Sequence, residues 1–213
     1  MRATALMFAF FALRGAAGER VHFDHCGSGG LPPKWAVSMT HTGAVPRWEL
    51  VSDPSAPSLP CVFAQLSTDP TAGRFPLAIW EGDAFRDGEV SVAFKPVSGS
   101  VDQAAGVIWR YRDPNNYYIV RANALENNVV LYKVLHGTRV SIAPKGLPSR
   151  AYGVKHPVTT GKWATLRATF EGSLFTVFLD GKQLFQAEDR SLALPGKTGL
   201  WTKADSVTYF DDF

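Results

Sequence analysis

This sequence predicts an all-β protein folded as an antiparallel β-sandwich. Turn residues recur roughly every 8–12 positions, and the runs between them are short and rich in Val, Phe, Thr and Trp. Ten or more such runs are present, and none shows the 3.6-residue periodicity of an amphipathic helix. "GEVSVAFKPVSG" sets Val90, Val92 and Phe94 against Ser91, Ala93 and Lys95, the two-residue period of a strand buried on one face.

From the N-terminus, "VHFDHCGSGGLPPKW" is an irregular lead-in punctuated by glycine and proline. "RWELVSD" is a strand running into a Pro/Ser loop, "CVFAQLS" one running into "TDPTAGRFP", and "LAIWEG" one ending in a polar bend at Asp83. After "GEVSVAFKPVSG" comes "GVIWRYRDPNNYYIVRANALENNVVLYKV", which reads as two or three strands joined by tight turns. "KWATLRATFEG", "LFTVFLDGKQLFQAED", "GKTGLWTKA" and "SVTYFDDF" complete the set. Asp180-Gly181 is a hairpin turn, because both residue types tolerate positive φ. Glu188-Asp189 reads as a solvated turn. No repeat and no low-complexity linker divides the chain, so residues 19–213 are expected to form one domain. The chain stops at Phe213 in mid-strand by its pattern, which implies a clipped C-terminus.

Residues 1–18 read as a secretory signal peptide, with a short N-terminal anchor as the alternative. Arg2 gives a positive start, Ala3 to Leu13 an apolar run too short to span a bilayer, and Ala16-Ala17-Gly18 a small-residue cleavage site. The expected location is secreted or periplasmic, with no membrane span in the mature chain. Twenty-two basic and 19 acidic side chains give a net charge of +3. Removing Arg2 and Arg14 with the leader leaves +1, too little to attract nucleic acid or an anionic membrane. In an oxidising compartment Cys26 and Cys61 either form one disulfide or stay as two free thiols. Neither sits in a zinc-binding spacing.

The segment around Pro114 carries the most information. With a turn at Asp113-Pro114-Asn115-Asn116, Arg112 pairs with Tyr117, Tyr111 with Tyr118, Arg110 with Ile119 and Trp109 with Val120. One face then holds Val107, Trp109, Tyr111, Tyr118, Val120 and Ala122, an apolar core. The other holds Ile108, Arg110, Arg112, Tyr117, Ile119, Arg121 and Asn123, expected to meet water or a ligand because guanidinium groups are rarely buried unpaired. In "GLWTKA", a core Leu200 puts Trp201 and Lys203 on that same open face.

Together, "AGVIWRYRDPNNYYIVRANALENNVVLYKV", "LFTVFLDGKQLFQAED" and "GKTGLWTKADSVTYFDDF" resemble the concanavalin-A-like lectin/glucanase superfamily. More narrowly they resemble secreted bacterial 3-keto-disaccharide hydrolase or family 16 glycoside-hydrolase-like domains, over residues 22–213. The resemblance implies a jelly roll of two curved antiparallel sheets with carbohydrate on the concave one. Arg110, Tyr117, Arg121, Asn123, Trp201 and Lys203 are the expected ligand-binding residues. The indole would stack on a pyranose, and the Arg, Asn and Lys side chains would donate to hydroxyls. The competing reading packs Trp201 under a loop and pairs the arginines with Glu81, Asp83 or Glu126. The binding reading expects Trp201→Ala to abolish glycan retention without unfolding.

The superfamily's glucanases carry a Glu-x-Asp-x-(x)-Glu strand. "WEGDAFR" supplies Glu81 and Asp83, but Phe85 and Arg86 stand where the second glutamate belongs, so that motif is absent. A 3-keto-glycoside hydrolase or lyase would need a base, for which His136, His156, Glu126 and Glu81 are candidates. The resemblance also implies one structural calcium, held by Asp24 and by Asp211 or Asp212 with "CGSGG" carbonyls. A capped turn at those aspartates is the alternative. A non-catalytic laminin-G-type module, bound to an envelope protein or a larger enzyme assembly, is the remaining reading.

Overall fold

The computed structural model describes residues 18–27 and 30–213. The leader through Ala17, and the export reading that rests on it, lies outside them. The described residues form fifteen strands and no helix. These are β1 (Trp35–Thr40), β2 (Trp48–Ser52), β3 (Cys61–Gln65), β4 (Phe75–Trp80), β5 (Gly88–Ser98), β6 (Ala104–Asp113), β7 (Asn116–Asn123) and β8 (Asn128–Leu135), followed by β9 (Thr138–Ile142), β10 (Val154–Lys155), β11 (Ala164–Glu171), β12 (Leu174–Leu179), β13 (Lys182–Glu188), β14 (Lys197–Trp201) and β15 (Val207–Asp211). The expected sandwich is present. β1 and β9 lie in stretches that the turn pattern alone does not mark as strands.

One sheet runs β1-β4-β14-β6-β7-β8, with β9 and β10 sharing the outer edge of β8. The other runs β13-β12-β11-β5-β15-β3-β2. Between them lies the main core. Val107, Trp109, Tyr118, Val120 and Ala122 meet Val92, Phe94, Phe170, Phe175 and Phe210 there. Trp109 lies parallel to Phe170, with centroids 5.6 Å apart, and edge-on to Phe175 at 5.3 Å. Burying each such ring contributes about 2–3 kcal/mol. At the β12–β13 turn Asp180 and Gly181 both take positive φ, 48° and 75°, as a two-residue hairpin demands.

The outer face of the eight-stranded sheet holds a second cluster, built from Phe75, Leu77, Ile79, Ile108, Tyr117, Ile119, Tyr132 and Trp201. These side chains are almost wholly buried although no third layer of the described residues covers them. The loops at one end of the sheet close over them. Thr40 Oγ1 donates to Pro114 O at 2.6 Å, so the Tyr117 hydroxyl donates to Thr40 at 2.8 Å. His41 sets Nδ1 at 2.7 Å from Gly73 O and Nε2 at 2.8 Å from Gly137 O. The Gly137 N–H then reaches Asn115 O at 3.0 Å. The end of β1, the β6–β7 turn and the β8–β9 turn are thereby tied together.

Cys26 and Cys61 are bridged, with Cα atoms 5.5 Å apart, fastening the N-terminal segment to β3. Val21 and Phe213 exchange backbone hydrogen bonds at 2.6 and 3.1 Å. Asp189 corrects the expectation of a solvated turn. It accepts from the Tyr118 hydroxyl at 2.7 Å, Lys133 Nζ at 2.6 Å and Ser191 N at 2.7 Å. Glu188 does stay exposed, paired with Lys145.

Two outcomes follow from these contacts. Replacing both cysteines by serine is expected to cost about 2–4 kcal/mol in chemical denaturation while leaving the β spectrum intact. Burial alone would raise the Asp189 carboxyl, but hydrogen bonds from Lys133, Ser191 and Tyr118 outweigh it and hold the group below its ordinary value. A depressed folded-state pKa gives stability that is present above the unfolded value and lost as pH falls through the folded one. Asp189→Asn should therefore be less stable than the parent at neutral pH. The gap should narrow on acidification below about pH 4.

Candidate functional site

The outer face of the eight-stranded sheet is shaped by a bulge in β6. Trp109 pairs with Tyr118 and Asp113 with Asn116, so three residues of β6 stand opposite Tyr117 alone. The simple hairpin register is therefore off by two beyond the bulge. A two-residue slip preserves the alternation of faces, so Val107, Trp109, Tyr118, Val120 and Ala122 remain in the main core. Within the bulge the faces exchange. Arg110 takes φ of 48°, and Tyr111 moves to the outer face against Tyr117, ring centroids 6.0 Å apart.

Arg110 is thus not on the predicted face. Its guanidinium turns toward Phe175 of the opposite sheet, 5.6 Å from the ring centroid, and is 1% exposed. Nε donates to Arg86 O at 2.8 Å, Nη1 to Leu192 O at 2.9 Å and Nη2 to Gly172 O at 2.6 Å. Tyr111, expected in the core, replaces it on the outer face.

The other five expected residues do lie on or beside the outer face, but buried or already partnered. Trp201 packs at 0% exposure against Phe75, centroids 5.3 Å apart, beneath the Arg139 guanidinium. Burial pushes the Tyr117 phenol well above its ordinary range. Arg121 donates to Asn128 Oδ1 at 2.8 Å, to Glu126 Oε2 at 2.7 Å and to Tyr152 Oη at 3.0 Å. Burial disfavours its charge, but Tyr132 and Glu126 outweigh that and hold it firmly cationic. Asn123 donates to Asp102 at 2.6 Å, and Lys203 binds the same carboxylate at 2.5 Å. The pairing of Arg121 with Glu126 is the salt bridge of the competing sequence reading.

The accessible part of the face lies beside this sealed end. An open groove of about 530 Å³ crosses β1, β4, β14 and β6, lined by Ala36, Val37, Ser38, Ile79, Glu81, Ala84, Tyr111, Arg112, Pro195, Gly196 and Lys197. The bulge brings the consecutive residues Tyr111 and Arg112 to its wall. Lys197 pairs directly with Tyr111 across the β6–β14 ladder. Ser38 and Tyr111 share a hydroxyl–hydroxyl hydrogen bond at 3.1 Å. Lys197 Nζ lies 3.7 Å from Glu81 Oε1. Gly196 is obligatory here, because a Cβ would overlap the Arg110 backbone.

No protein-family model matches the chain, and a search of curated proteins finds no match. Among solved structures it is similar to the carbohydrate binding module CBM66 from Bacillus subtilis, with TM-score 0.61 and 19% identity over 84% of this chain and 92% of that one. It is also similar to a Bacillus subtilis protein of unknown function with a galectin-like fold (TM-score 0.54, 12% identity, 84% and 87% covered). A third is Bacillus licheniformis beta-glucanase (TM-score 0.51, 11% identity, 93% and 97% covered). The chain shares their fold, a jelly roll of two antiparallel sheets.

On this jelly roll the candidate bases are scattered. Glu81 lines the groove, Glu126 is tied to Arg121, and His136 and His156 sit at the β8–β9 turn and beside β10. Asp24 Oδ1, from one of the expected cation ligands, is buried without a hydrogen-bond partner. Asp211 is taken by Ser58 N and Oγ at 2.8 and 2.9 Å, and Asp212 faces His22 Nδ1 at 2.8 Å. No group of three or more His, Cys, Asp or Glu side chains gathers among the described residues. Sequence reasoning missed Ser38 and Arg139, whose strands β1 and β9 it did not mark, and Lys197, at the start of β14.

Because Trp201 is buried to the full, Trp201→Ala is expected to act on folding. It should cost about 3–5 kcal/mol in denaturant titration. A stability change under 1 kcal/mol would contradict the sealed packing described above.

Proposed function

We propose that this jelly roll binds carbohydrate in the groove between β1 and β6, with Tyr111 as the stacking platform. The observation that carries this reading is the groove itself. It sets a half-buried aromatic ring beside hydroxyl, ammonium and guanidinium groups with donor capacity to spare. A pyranose presents an apolar C–H face and a rim of hydroxyls, and it needs that combination. The names of the structural neighbours, a carbohydrate binding module and a glucanase, support the same class of ligand. Oxidised Cys26–Cys61 supports an exported protein, since such bridges persist in oxidising compartments.

Binding is favoured over hydrolysis by the groove's acids. Retaining and inverting glycosidases both place two carboxyl groups about the scissile bond. The groove lining holds one, Glu81, already beside Lys197. A 3-keto-glycoside reaction would have to use Glu81 as its base, the one candidate among the four that reaches the groove.

Screening on a glycan array followed by calorimetry is expected to find at least one saccharide class retained. Tyr111→Ala should weaken that binding by about tenfold. A silent array, together with capture of a protein partner, would replace this reading with the laminin-G-type one. Turnover of 3-keto-glucosides lost in Glu81→Gln would replace it with catalysis.

A further inference from the structure

We propose that the groove selects acidic saccharides, with Arg112 receiving the carboxylate of a uronic acid. This inference rests on the carbohydrate reading above and names the ligand class within it. The three fully buried arginines among the described residues are spoken for. Arg74 donates to Ala44 O, Ala204 O and Ser67 Oγ; Arg110 donates to three carbonyls; Arg121 holds Glu126. Arg112 is exposed on the groove wall with no ion-pair partner among the described residues. Its neighbour in sequence offers none, because Asp113 accepts from Asn115 N at 2.7 Å and Asn116 Nδ2 at 3.0 Å within the turn. Glu81 faces Lys197.

The groove therefore holds two cations against one carboxylate. A guanidinium is a planar fork that matches a carboxylate in two parallel hydrogen bonds, and it gains less from a neutral hydroxyl. Tyr111 and Arg112 are adjacent in the chain yet both face the groove, so a ring stacked on Tyr111 has its rim at the guanidinium. A carboxylate on that rim supplies the charge the groove lacks. A neutral sugar would leave the Arg112 charge to water.

The test uses the intact protein and an array of oligogalacturonates, oligoglucuronates and oligomannuronates, each beside its carboxyl-reduced neutral partner. In at least one pair the acidic member is expected to bind about tenfold tighter, with affinity falling as salt rises. Arg112→Gln, at an exposed position, should equalise the pair without lowering the melting temperature. Arg112→Lys should keep part of the preference. Equal binding of acidic and neutral partners overturns this inference and leaves the carbohydrate reading standing. An acid preference that survives in Arg112→Gln overturns the assignment to Arg112. Binding of no saccharide, acidic or neutral, removes both.

Discussion

The bulge in β6 governs what the outer sheet face can do. Three consecutive residues, Arg110 to Arg112, are fitted opposite one. The left-handed φ at Arg110 costs on the order of 1–2 kcal/mol. Three hydrogen bonds from its guanidinium to buried carbonyls offset that, since bonds to a charged donor contribute about 1.5–3 kcal/mol each. Those carbonyls belong to Arg86, Leu192 and Gly172, on three separate loops. Arg110 therefore works as a rivet between the edge loops of the two sheets, and the same twist delivers Tyr111 and Arg112 to the groove. Gly196 completes the arrangement by letting β14 approach the strained backbone.

The second constraint is closure of the sheet end. Thr40, His41 and Gly137 draw three loops together over Phe75, Trp201 and Tyr132. Beneath them Arg139 lies against all three rings, with its guanidinium carbon 4.7 Å from the Phe75 centroid and 4.6 Å from that of Tyr132. A cation held over ring faces gains from their quadrupoles, and more so when desolvated. Half of the outer face thus becomes a second core with a cationic lid. The unsealed half, toward β1 and the start of β14, keeps the groove. The two halves meet at Tyr117, whose ring touches Tyr111 and whose hydroxyl holds Thr40.

Alternation was the part of this fold that the sequence could express. A period of two survives any slip of two residues, so the main core around Trp109, Tyr118 and Val120 was readable although the register beyond Pro114 was not. The same logic placed Leu200 in the core and Trp201 on the opposite face. Bulges leave no comparable trace. Nothing in "WRYRDP" distinguishes an arginine on a straight strand from one in left-handed backbone, so Arg110 and Tyr111 were exchanged. Burial on the outer face was equally hidden, because it comes from contacts between loops far apart in the chain, such as His41 with Gly137. The groove was invisible for a related reason. It depends on β1, whose "WAVSMT" follows a Gly/Pro-rich lead-in and reads as more of the same.

Residue type alone does not mark a ligand contact, and the arginines here show why. Arg121 and Arg112 are both basic residues beside aromatics, and either fits a generic picture of sugar recognition. Arg121 already donates to Asn128, Glu126 and Tyr152 in a buried site. To bind a ligand it would have to surrender charge-assisted bonds and leave Glu126 or Asn128 unpaired, at a cost of several kcal/mol. Lys203 and Asn123 face the same exchange through Asp102. Among the described residues Arg112 has no ion-pair partner to give up, so it loses only water. The capacity to bind therefore follows uncommitted donors in accessible space. By that criterion the proposed site lies at the tyrosine and arginine of the bulge and not at the sealed tryptophan.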